Sequence, residues 1–94
     1  MADLQEVLRA VADPARRRVL ELLRSGGASA GELSRATGLS PSALSYHLVK
    51  LKEAGLVRED KQGRFVFYHL NLTVLEDAAV WFAGFAGRGG DGHE

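Results

Sequence analysis

The stretch that decides the fold is SAGELSRATGLSPSALSYHLVKLKEAGL, residues 29–56. Ser29 and Glu32 have the spacing of a capping box, in which a hydroxyl and a carboxylate satisfy the free amides at a helix start. Gly38 suits the left-handed conformation that ends many helices, and the proline three residues later suits a new start. The stretch therefore predicts a helix-turn-helix, which makes DNA the leading partner.

The second helix of this pair is predicted to follow Ser40, a favoured N-cap residue, and to run from Pro41 to Ala54. At about 100° per residue, its two sides differ in chemistry. One side has short hydroxyl side chains and a tyrosine, which can approach base edges closely; a serine-rich surface without a ligand is the alternative. The apolar side comprises Leu44, Leu48, Leu51 and Ala54, and the outer side comprises Ser42, Ser45, Tyr46, Val49 and Glu53, with Lys50 at its edge.

Two shorter helices are predicted before this pair. Residues 3–12 have apolar side chains at the spacing of one helical face, carried by Leu4, Val7, Leu8 and Val11. A second helix opens at Asp13 and Pro14 and ends at the glycine pair 26–27. Its first turn holds three arginines, residues 16–18, where cations oppose the helix dipole. This placement indicates an external anion or simply solubility, and we expect at least one arginine to contact phosphate.

After the helix-turn-helix the pattern changes to period two and predicts a hairpin, with strands over residues 57–60 and 64–70. A short polar turn, residues 61–63, separates the strands. A two-stranded ribbon in this position is a wing, whose tip can reach the DNA backbone or the minor groove. Arg64, at the start of the second strand, is the best single candidate for that contact.

A last helix is predicted to open at Thr73, which has capping-box spacing with Glu76, and to run to about Phe85. Its apolar band is too wide for a helix that lies on a small domain with one side in water. Each large aromatic would expose about 150–250 Å² if uncovered, and the simplest cover is a second copy of the chain. One face holds Leu75, Ala79 and Phe82, and the adjacent face holds Val74, Ala78, Trp81 and Phe85.

Together these elements predict a mainly α fold with a small β-hairpin, a winged helix-turn-helix of about five helices and a two-stranded wing. Residues 1–86 form one DNA-binding and dimerisation domain, and the Gly-rich polar residues 87–94 form a flexible tail. A chain of 94 residues buries only about 60–65% of the surface that it would expose unfolded. A dimer would therefore help to stabilise it.

The formal net charge is zero, but the charges are unevenly distributed. Residues 14–64 carry ten Lys and Arg against five Asp and Glu, and both ends are acidic. A basic middle is the footprint that phosphate binding requires, and random scatter of surface charge is the alternative. No apolar run approaches the ~20 residues that cross a bilayer, and no secretory signal is visible. We therefore expect a cytoplasmic protein without a membrane partner.

Residue types that carry catalysis or bind metals are sparse. The absence of cysteine removes disulfides, thiol redox sensing and thiolate metal sites. We expect His47 to be packed or bonded to backbone, with a phosphate contact as the alternative, His69 to cover the domain, and His93 in the tail to carry little information. No Ser/His/Asp set or phosphate-cradling glycine loop is present, and the carboxylate pairs are only adjacent ones. We therefore predict no enzyme, no catalytic residue and no cofactor.

Three blocks in order resemble the ArsR (arsenic-repressor) family of bacterial winged-helix repressors: ADPARRRVLELL at residues 12–23, GELSRATGLSPSALSYHLVKLKEAGLV at 31–57 and GRFVFYHL at 63–70. The resemblance covers residues 4 to about 82. It implies a homodimer held by the first and last helices, a recognition helix in the major groove, and repression that a ligand relieves. It also implies recognition positions at Ser40, Ser42, Ser45 and Tyr46, a basic contact at Arg16 and a wing arginine at Arg64.

The sensor region departs from the family pattern. Metal-binding members resemble one another in a cysteine pair near the recognition helix, or in Asp/His and His/Glu pairs on the last helix. This chain has no cysteine, and Glu76 and Asp77 have no histidine nearby in that helix. A ligand set poor in imidazole and free of thiols binds zinc or copper weakly, so we expect no metal site.

The sequence thus predicts a sequence-specific transcriptional repressor that binds an inverted-repeat operator as a homodimer, with half-sites about 34–36 Å apart or slightly more. The alternatives are a winged-helix module that binds another protein through the last helix, and a constitutive autorepressor without an inducer. An unknown small molecule or protein could act as effector. The predicted DNA contacts are Arg16, Ser40, Ser42, Ser45, Tyr46, Lys50, Lys61, Gln62 and Arg64. The predicted dimer contacts are Leu4, Val7, Leu8, Val11, Leu75, Ala79, Trp81, Phe82 and Phe85.

Overall fold

The structure is a computed structural model that describes residues 3–86. Within these residues the chain forms five α-helices and one three-stranded sheet. This architecture confirms the predicted winged helix-turn-helix class. The predicted tail, residues 87–94, lies outside the described residues. The elements are α1 (Leu4–Val11), α2 (Pro14–Leu22) extended by a 3₁₀ turn (Leu23–Ser25), β1 (Ala28–Ser29), α3 (Ala30–Thr37), α4 (Pro41–Glu53), β2 (Val57–Gln62), β3 (Phe65–Leu70) and α5 (Leu72–Ala86).

The helix-turn-helix, formed by α3 and α4, has the caps that the sequence predicts. The Ser29 hydroxyl accepts a hydrogen bond from the Glu32 amide at 3.1 Å, and the Glu32 carboxylate accepts one from the Ser29 amide at 2.8 Å. The bond from the Ser29 amide lowers the pKa of Glu32. Ser40 accepts from the Ala43 amide, and Gly38 adopts φ 76° between the two helices. Local chemistry therefore sets both the length of α3 and the start of α4.

The start of α5 differs from the prediction. The helix begins at Leu72, so Thr73 lies inside its first turn and the predicted capping box of Thr73 with Glu76 is wrong. The Asn71 amide donates to the Leu56 carbonyl at 2.9 Å, and the Asn71 carbonyl accepts the Leu75 amide at 3.3 Å. Asn71 thus stands at the N-cap position, because its tether to the end of the α4–β2 connection fixes where the chain leaves the sheet.

The hairpin of β2 and β3 is longer and its turn tighter than predicted. The two strands pair antiparallel from Val57 opposite Leu70 to Gln62 opposite Phe65. The predicted turn at residues 61–63 is therefore wrong: Lys61 and Gln62 belong to β2, and the turn consists of Gly63 and Arg64. Gly63 supplies the positive φ, 64°, that a two-residue hairpin turn requires. Lys61 and Arg64, the two cationic residues next to or in the turn, accordingly lie at the end of the hairpin.

A third strand, β1, was not predicted from the sequence. Ala28 and Ser29 pair with Tyr68 and Phe67, which places β3 in the centre of the sheet in the order β1-β3-β2. Two residues are too few for a period-two pattern, and Ser29 was interpreted only as a helix cap. The pairing joins the base of the wing to the start of α3, so the wing is fixed relative to the helix-turn-helix.

The core is assembled around the apolar side of α4. Leu44, Leu48, Leu51 and Ala54 are buried as predicted, with Leu51 fully inaccessible. They pack with buried side chains of the other helical segments, of the α4–β2 connection and of the start of β2. These are Val7, Ala10, Val19, Leu23, Leu33, Leu56, Val57 and Val74. Burial of the inner side of α4 in this core therefore fixes the orientation of its outer side.

Most of α5 lies away from that core. Val74 is its only buried residue, and Leu75 and Ala78 are half-buried. Every residue from 79 to 86 is exposed. None of the helices in residues 3–86 has the combination of length and apolar character needed to span a membrane. The C-terminal half of α5 is thus an apolar helix whose aromatic side chains the protomer does not cover.

Candidate nucleic-acid interface

The outer side of α4 is an exposed and mostly polar helix face. Ser42, Ser45, Tyr46, Val49 and Lys50 are all exposed, as the helical spacing predicts. Tyr46 and Val49 expose 57% and 46% of their surface. The face thus combines hydroxyl groups that can donate or accept hydrogen bonds with one aromatic ring and one methyl-bearing side chain. These are groups suited to base edges and thymine methyls in a major groove.

Tyr46 is held from both sides on this face. The His47 ring meets it edge to face with ring centroids 5.5 Å apart, and the Lys50 ammonium lies 5.6 Å from the centre of the tyrosine ring. Lys50 also lies 3.7 Å from the Glu53 carboxylate. An aromatic ring with two such neighbours has fewer orientations to lose on binding, which favours a defined contact over a loose one.

Ser40 has a structural task as well as an exposed position. Its hydroxyl oxygen accepts the Ala43 amide at 3.2 Å and lies 3.4 Å from the Ser42 hydroxyl. A serine hydroxyl has one proton to donate and two lone pairs. The cap therefore leaves Ser40 able to donate outward, and its predicted DNA contact stays a prediction.

The wing tip presents cations while the acidic residues further down the wing are engaged. Lys61, Gln62 and Arg64 are exposed. Gln62 donates to the Asp60 carboxylate at 3.0 Å. Phe65, 63% exposed beside the turn, is an apolar residue that the sequence reasoning did not single out, because alternation alone does not show where a strand leaves the core.

An ion pair fixes the wing against the end of α4. The Lys52 ammonium donates to the Glu59 carboxylate at 2.8 Å, and the Tyr68 hydroxyl approaches the same oxygen at 3.5 Å. The hydrogen bond from Lys52 lowers the pKa of Glu59 and raises that of Lys52. Burial and the neighbouring Glu59 charge raise the pKa of Tyr68. Glu59 is thus committed to Lys52 and adds little repulsion toward a phosphate at the tip.

The arginines at the start of α2 turn toward the end of α1. Arg16 donates from Nε to the Ala10 carbonyl at 2.7 Å, and Arg17 donates to the Val11 and Ala12 carbonyls at 2.7 and 3.1 Å. Cations are favourable at a helix C-terminus, where carbonyls lack partners. These bonds explain two of the three arginines at this helix N-terminus without an external anion, and the third, Arg18, lies 3.8 Å from the Glu21 carboxylate on its own helix. The sequence reasoning missed these contacts because helical spacing does not show which carbonyls a long side chain reaches.

Arg16 makes a further contact with α4. Its Nη1 lies 3.3 Å from Nδ1 of His47, which is half-buried on the side of α4 that faces α1 and α2. His47 is therefore packed within the protein, as one of the two sequence interpretations predicts. The predicted phosphate contact of Arg16 stays a prediction.

A second exposed surface lies on α5. Val80, Trp81, Phe82 and Phe85 expose 72%, 44%, 52% and 69% of their surface. Trp81 meets Phe82 and Phe85 edge to face, with centroids 5.1 and 4.8 Å apart. We call these four residues the aromatic patch; Val80 was not singled out from the sequence.

The remaining predicted dimer residues vary in exposure. Ala79 is exposed, and Leu4, Leu8, Val11 and Leu75 are half-buried. Val7 is only 4% exposed in the single chain, so its side chain packs in the protomer's own core. The aromatic patch therefore supplies most of the uncovered apolar surface in the predicted set.

Ligands for metal are not gathered anywhere in the described part of the chain. Residues 3–86 contain no group of three or more His, Asp or Glu side chains placed to hold a metal ion. His69 and Asp60 lie 3.7 Å apart across the sheet, but they form only a pair. Two ligands fall short of the four that a zinc site uses.

The chain is similar to known proteins both in sequence and in fold. A family described as a helix-turn-helix domain matches residues 11–60. The transcriptional repressor SdpR of Bacillus subtilis is 36% identical over 92% of this chain and 96% of its own length. An ArsR-like transcriptional regulator from Rhodococcus sp. RHA1 has a TM-score of 0.81 at 28% identity, covering 90% of this chain and 80% of that one. The homodimeric winged helix-turn-helix DNA-binding domain of a Mycobacterium bovis protein has a TM-score of 0.73 at 25% identity, covering 96% and 84%.

Proposed function

The chain belongs to the ArsR family of winged helix-turn-helix transcriptional regulators, and from that premise we propose that it is a repressor that binds an inverted-repeat operator as a homodimer. DNA binding and transcription regulation, without an enzymatic activity, are what the family shows. Repression, the operator symmetry and the residues below are our proposal. The observation that carries it is the exposed face of Ser42, Ser45 and Tyr46 on α4, a helix that the Lys52–Glu59 ion pair joins to a wing with cations at its tip.

In this proposal α4 lies in the major groove and reads sequence. Ser42, Ser45 and Tyr46 contact base edges, while Ser40 and Lys50 contact the edge of the groove or nearby phosphates. Hydroxyl groups pair with more than one base, so Tyr46 and the apolar Val49 supply much of the discrimination. The light charge of this face means that affinity has to come from elsewhere.

That affinity comes in large part from the wing. Lys61 and Arg64 lie at the end of the ribbon, where they contact phosphate or enter the minor groove, and Gln62 adds a neutral hydrogen bond. Phosphate contacts position a protein on DNA and make its affinity depend on salt, whereas base contacts give preference among sequences. The two surfaces therefore divide the work.

The aromatic patch supports the homodimer. Three large aromatics of about 150–250 Å² each supply a substantial share of the ~800 Å² per partner that a stable interface buries. The isologous contact of a two-fold dimer would bury the patch of each chain against α1 or α5 of the other. A heterologous protein partner is the alternative occupant of the same patch.

The repressor assignment is supported by the named function of SdpR, which resembles this chain over almost its full length. A regulator of transcription acts at the chromosome, so we place the protein in the cytoplasm. No effector is assigned to it, and a small molecule or a protein could fill that role.

The test is selection of bound duplexes from a random DNA pool with the wild-type chain. The expected result is a shared inverted repeat with half-site centres about one helical turn apart or slightly more. Recovery of duplexes without any shared sequence would contradict sequence-specific binding. A stable monomer in sedimentation equilibrium would favour the heterologous partner instead.

A further inference from the structure

One half-buried side chain, Arg16, joins three helices of the protomer. It belongs to the first turn of α2, its Nε donates to the Ala10 carbonyl at the end of α1, and its Nη1 lies 3.3 Å from Nδ1 of His47 on α4. Asp13 caps the same turn by accepting the Arg16 amide at 3.2 Å. The guanidinium thus spans the gap between the end of α1 and the recognition helix.

The contact with His47 has a defined chemistry. An arginine guanidinium has only donors, so His47 has to accept at Nδ1 and carry its ring proton at Nε2. The planar fork of arginine fixes the direction of both bonds at once, which a lysine ammonium would not. Two of the guanidinium nitrogens are therefore used inside the protein.

His47 passes this restraint to the residue that stands on the outer face of α4. Its ring packs edge to face on Tyr46, 5.5 Å between centroids. Arg16 and Tyr46 also line one open cavity of about 260 Å³ between α1 and α4. A change in the position of Arg16 is therefore felt at Tyr46 through a chain of two contacts.

We propose that Arg16 is a positioning residue for base recognition, holding α4 and the Tyr46 ring in register through His47, rather than the phosphate ligand that its basic position predicts. The inference rests on the proposed function, since it assigns a task within operator recognition. It also ties the carboxyl end of α1, a predicted dimer helix, to the recognition helix by a single side chain.

Arg17 provides a matched control for Arg16. It is the next residue, carries the same charge and also donates to carbonyls at the end of α1, while its hydrogen bonds within residues 3–86 do not extend to α4. Arg17→Ala thus removes one cation and comparable bonds to α1. Arg16→Ala removes these and the His47 contact.

The experiment measures affinity for the selected operator and for a scrambled duplex of equal length, each over a salt series. For Arg16→Ala the expected result is an operator affinity reduced about tenfold or more relative to Arg17→Ala, with scrambled-duplex affinity and salt slope equal in the two variants. A salt slope about 0.9 smaller than for Arg17→Ala, with equal losses on both duplexes, would identify a phosphate contact and overturn the proposal.

Changes at His47 keep the test decisive if Arg16→Ala does not fold. His47→Gln retains a side-chain acceptor for Arg16 but loses the ring, so it should lose less operator affinity than His47→Leu, which should lose about tenfold on the operator only. Equal affinities for the Gln and Leu variants would overturn the proposal. Wild-type protein that fails to distinguish operator from scrambled duplex would overturn the proposed function itself, which is a separate outcome.

Discussion

Helices α4 and α5 have similar lengths, 13 and 15 residues, but they use their surfaces in opposite ways. α4 buries three leucines in the core and presents small polar groups to solvent, so the core fixes the orientation of its exposed face. α5 buries only Val74 and presents three aromatics and a valine. The chemistry of each exposed face, rather than exposure alone, indicates its partner: hydroxyls beside cations suit DNA, and uncovered aromatic rings suit a protein surface.

The difference also separates folding from assembly. Removing atoms from the inner side of α4 damages the protomer's core, because close packing leaves no way to fill the space. Removing atoms from the aromatic patch leaves the protomer's core intact and acts on the contact between chains. Substitutions on the two helices should therefore have separable effects, and the largest is expected in the core.

Leu51→Ala should lower the free energy of unfolding by about 2–5 kcal/mol, because Leu51 is fully buried beneath the recognition face and its loss leaves a cavity. Chemical denaturation at a fixed protein concentration measures this. Val49→Ala, two residues away on the outer side, should change stability by less than about 0.5 kcal/mol. Equal effects of the two substitutions would contradict the assignment of one side of α4 to the core and the other to solvent.

Phe85→Ala should raise the dimer dissociation constant about thirtyfold, the effect of losing one aromatic contact of about 2 kcal/mol across the interface. Sedimentation equilibrium measures the constant. Val49→Ala serves again as control, since it is an exposed apolar residue on the other helix and should leave assembly unchanged. An unchanged dissociation constant for Phe85→Ala would remove the aromatic patch from the dimer.

Arg64→Ala should weaken binding to operator and scrambled duplex alike, by about tenfold, and reduce the salt slope by about 0.9, because one phosphate contact is lost. Fluorescence anisotropy over a salt series measures both quantities. Gln62→Ala, a neutral change at the same tip, should leave the slope unchanged. If Arg64→Ala binds with wild-type affinity and slope, the wing makes no phosphate contact through this residue.

Asp13→Ala should lower the free energy of unfolding by about 1 kcal/mol at neutral pH, the usual effect of losing an N-cap. Burial opposes ionisation of Asp13, but amide bonds from Arg16 and Ala15 and the Arg16 charge lower its pKa overall. A lowered folded-state pKa stabilises the fold above the unfolded value, about 3.9, and this stabilisation is lost as the pH falls through the folded value.

Thermal unfolding of wild type and Asp13→Ala between pH 2 and 7 checks the sign. The difference between the two should be largest above about pH 5 and should shrink toward pH 2. Asp13→Asn, which retains a capping oxygen, should lie closer to wild type at neutral pH. A difference that grows on acidification would contradict the assigned direction.

The parts of the fold that sequence predicts well are those specified by neighbours in the chain. Ser29 with Glu32, Gly38 and Ser40 form caps within three or four residues, so their chemistry is local and their prediction is confirmed. The two faces of α4 follow from helical spacing in the same way. The exposed residues of α4 can therefore be predicted from the sequence alone.

The parts that sequence misses depend on residues distant in the chain. Strand β1 exists because Ala28 and Ser29 meet β3 some forty residues later. The start of α5 depends on the bond from Asn71 to Leu56, and the orientation of Arg16 depends on His47, 31 residues later. A local pattern contains no information on these partners, so it indicates a cap at Thr73 and an external anion at Arg16 instead.

In the proposed complex, each chain uses α4 to contact DNA and α5 to contact a second copy of the chain. The mass of the protein–DNA complex tests these two contacts in one measurement. Sedimentation of the wild-type chain with the full inverted repeat and with an isolated half-site gives stoichiometry and affinity together. We predict two chains per full repeat and binding to the half-site weaker by at least about tenfold. One chain per duplex, with equal affinity for repeat and half-site, would contradict the account.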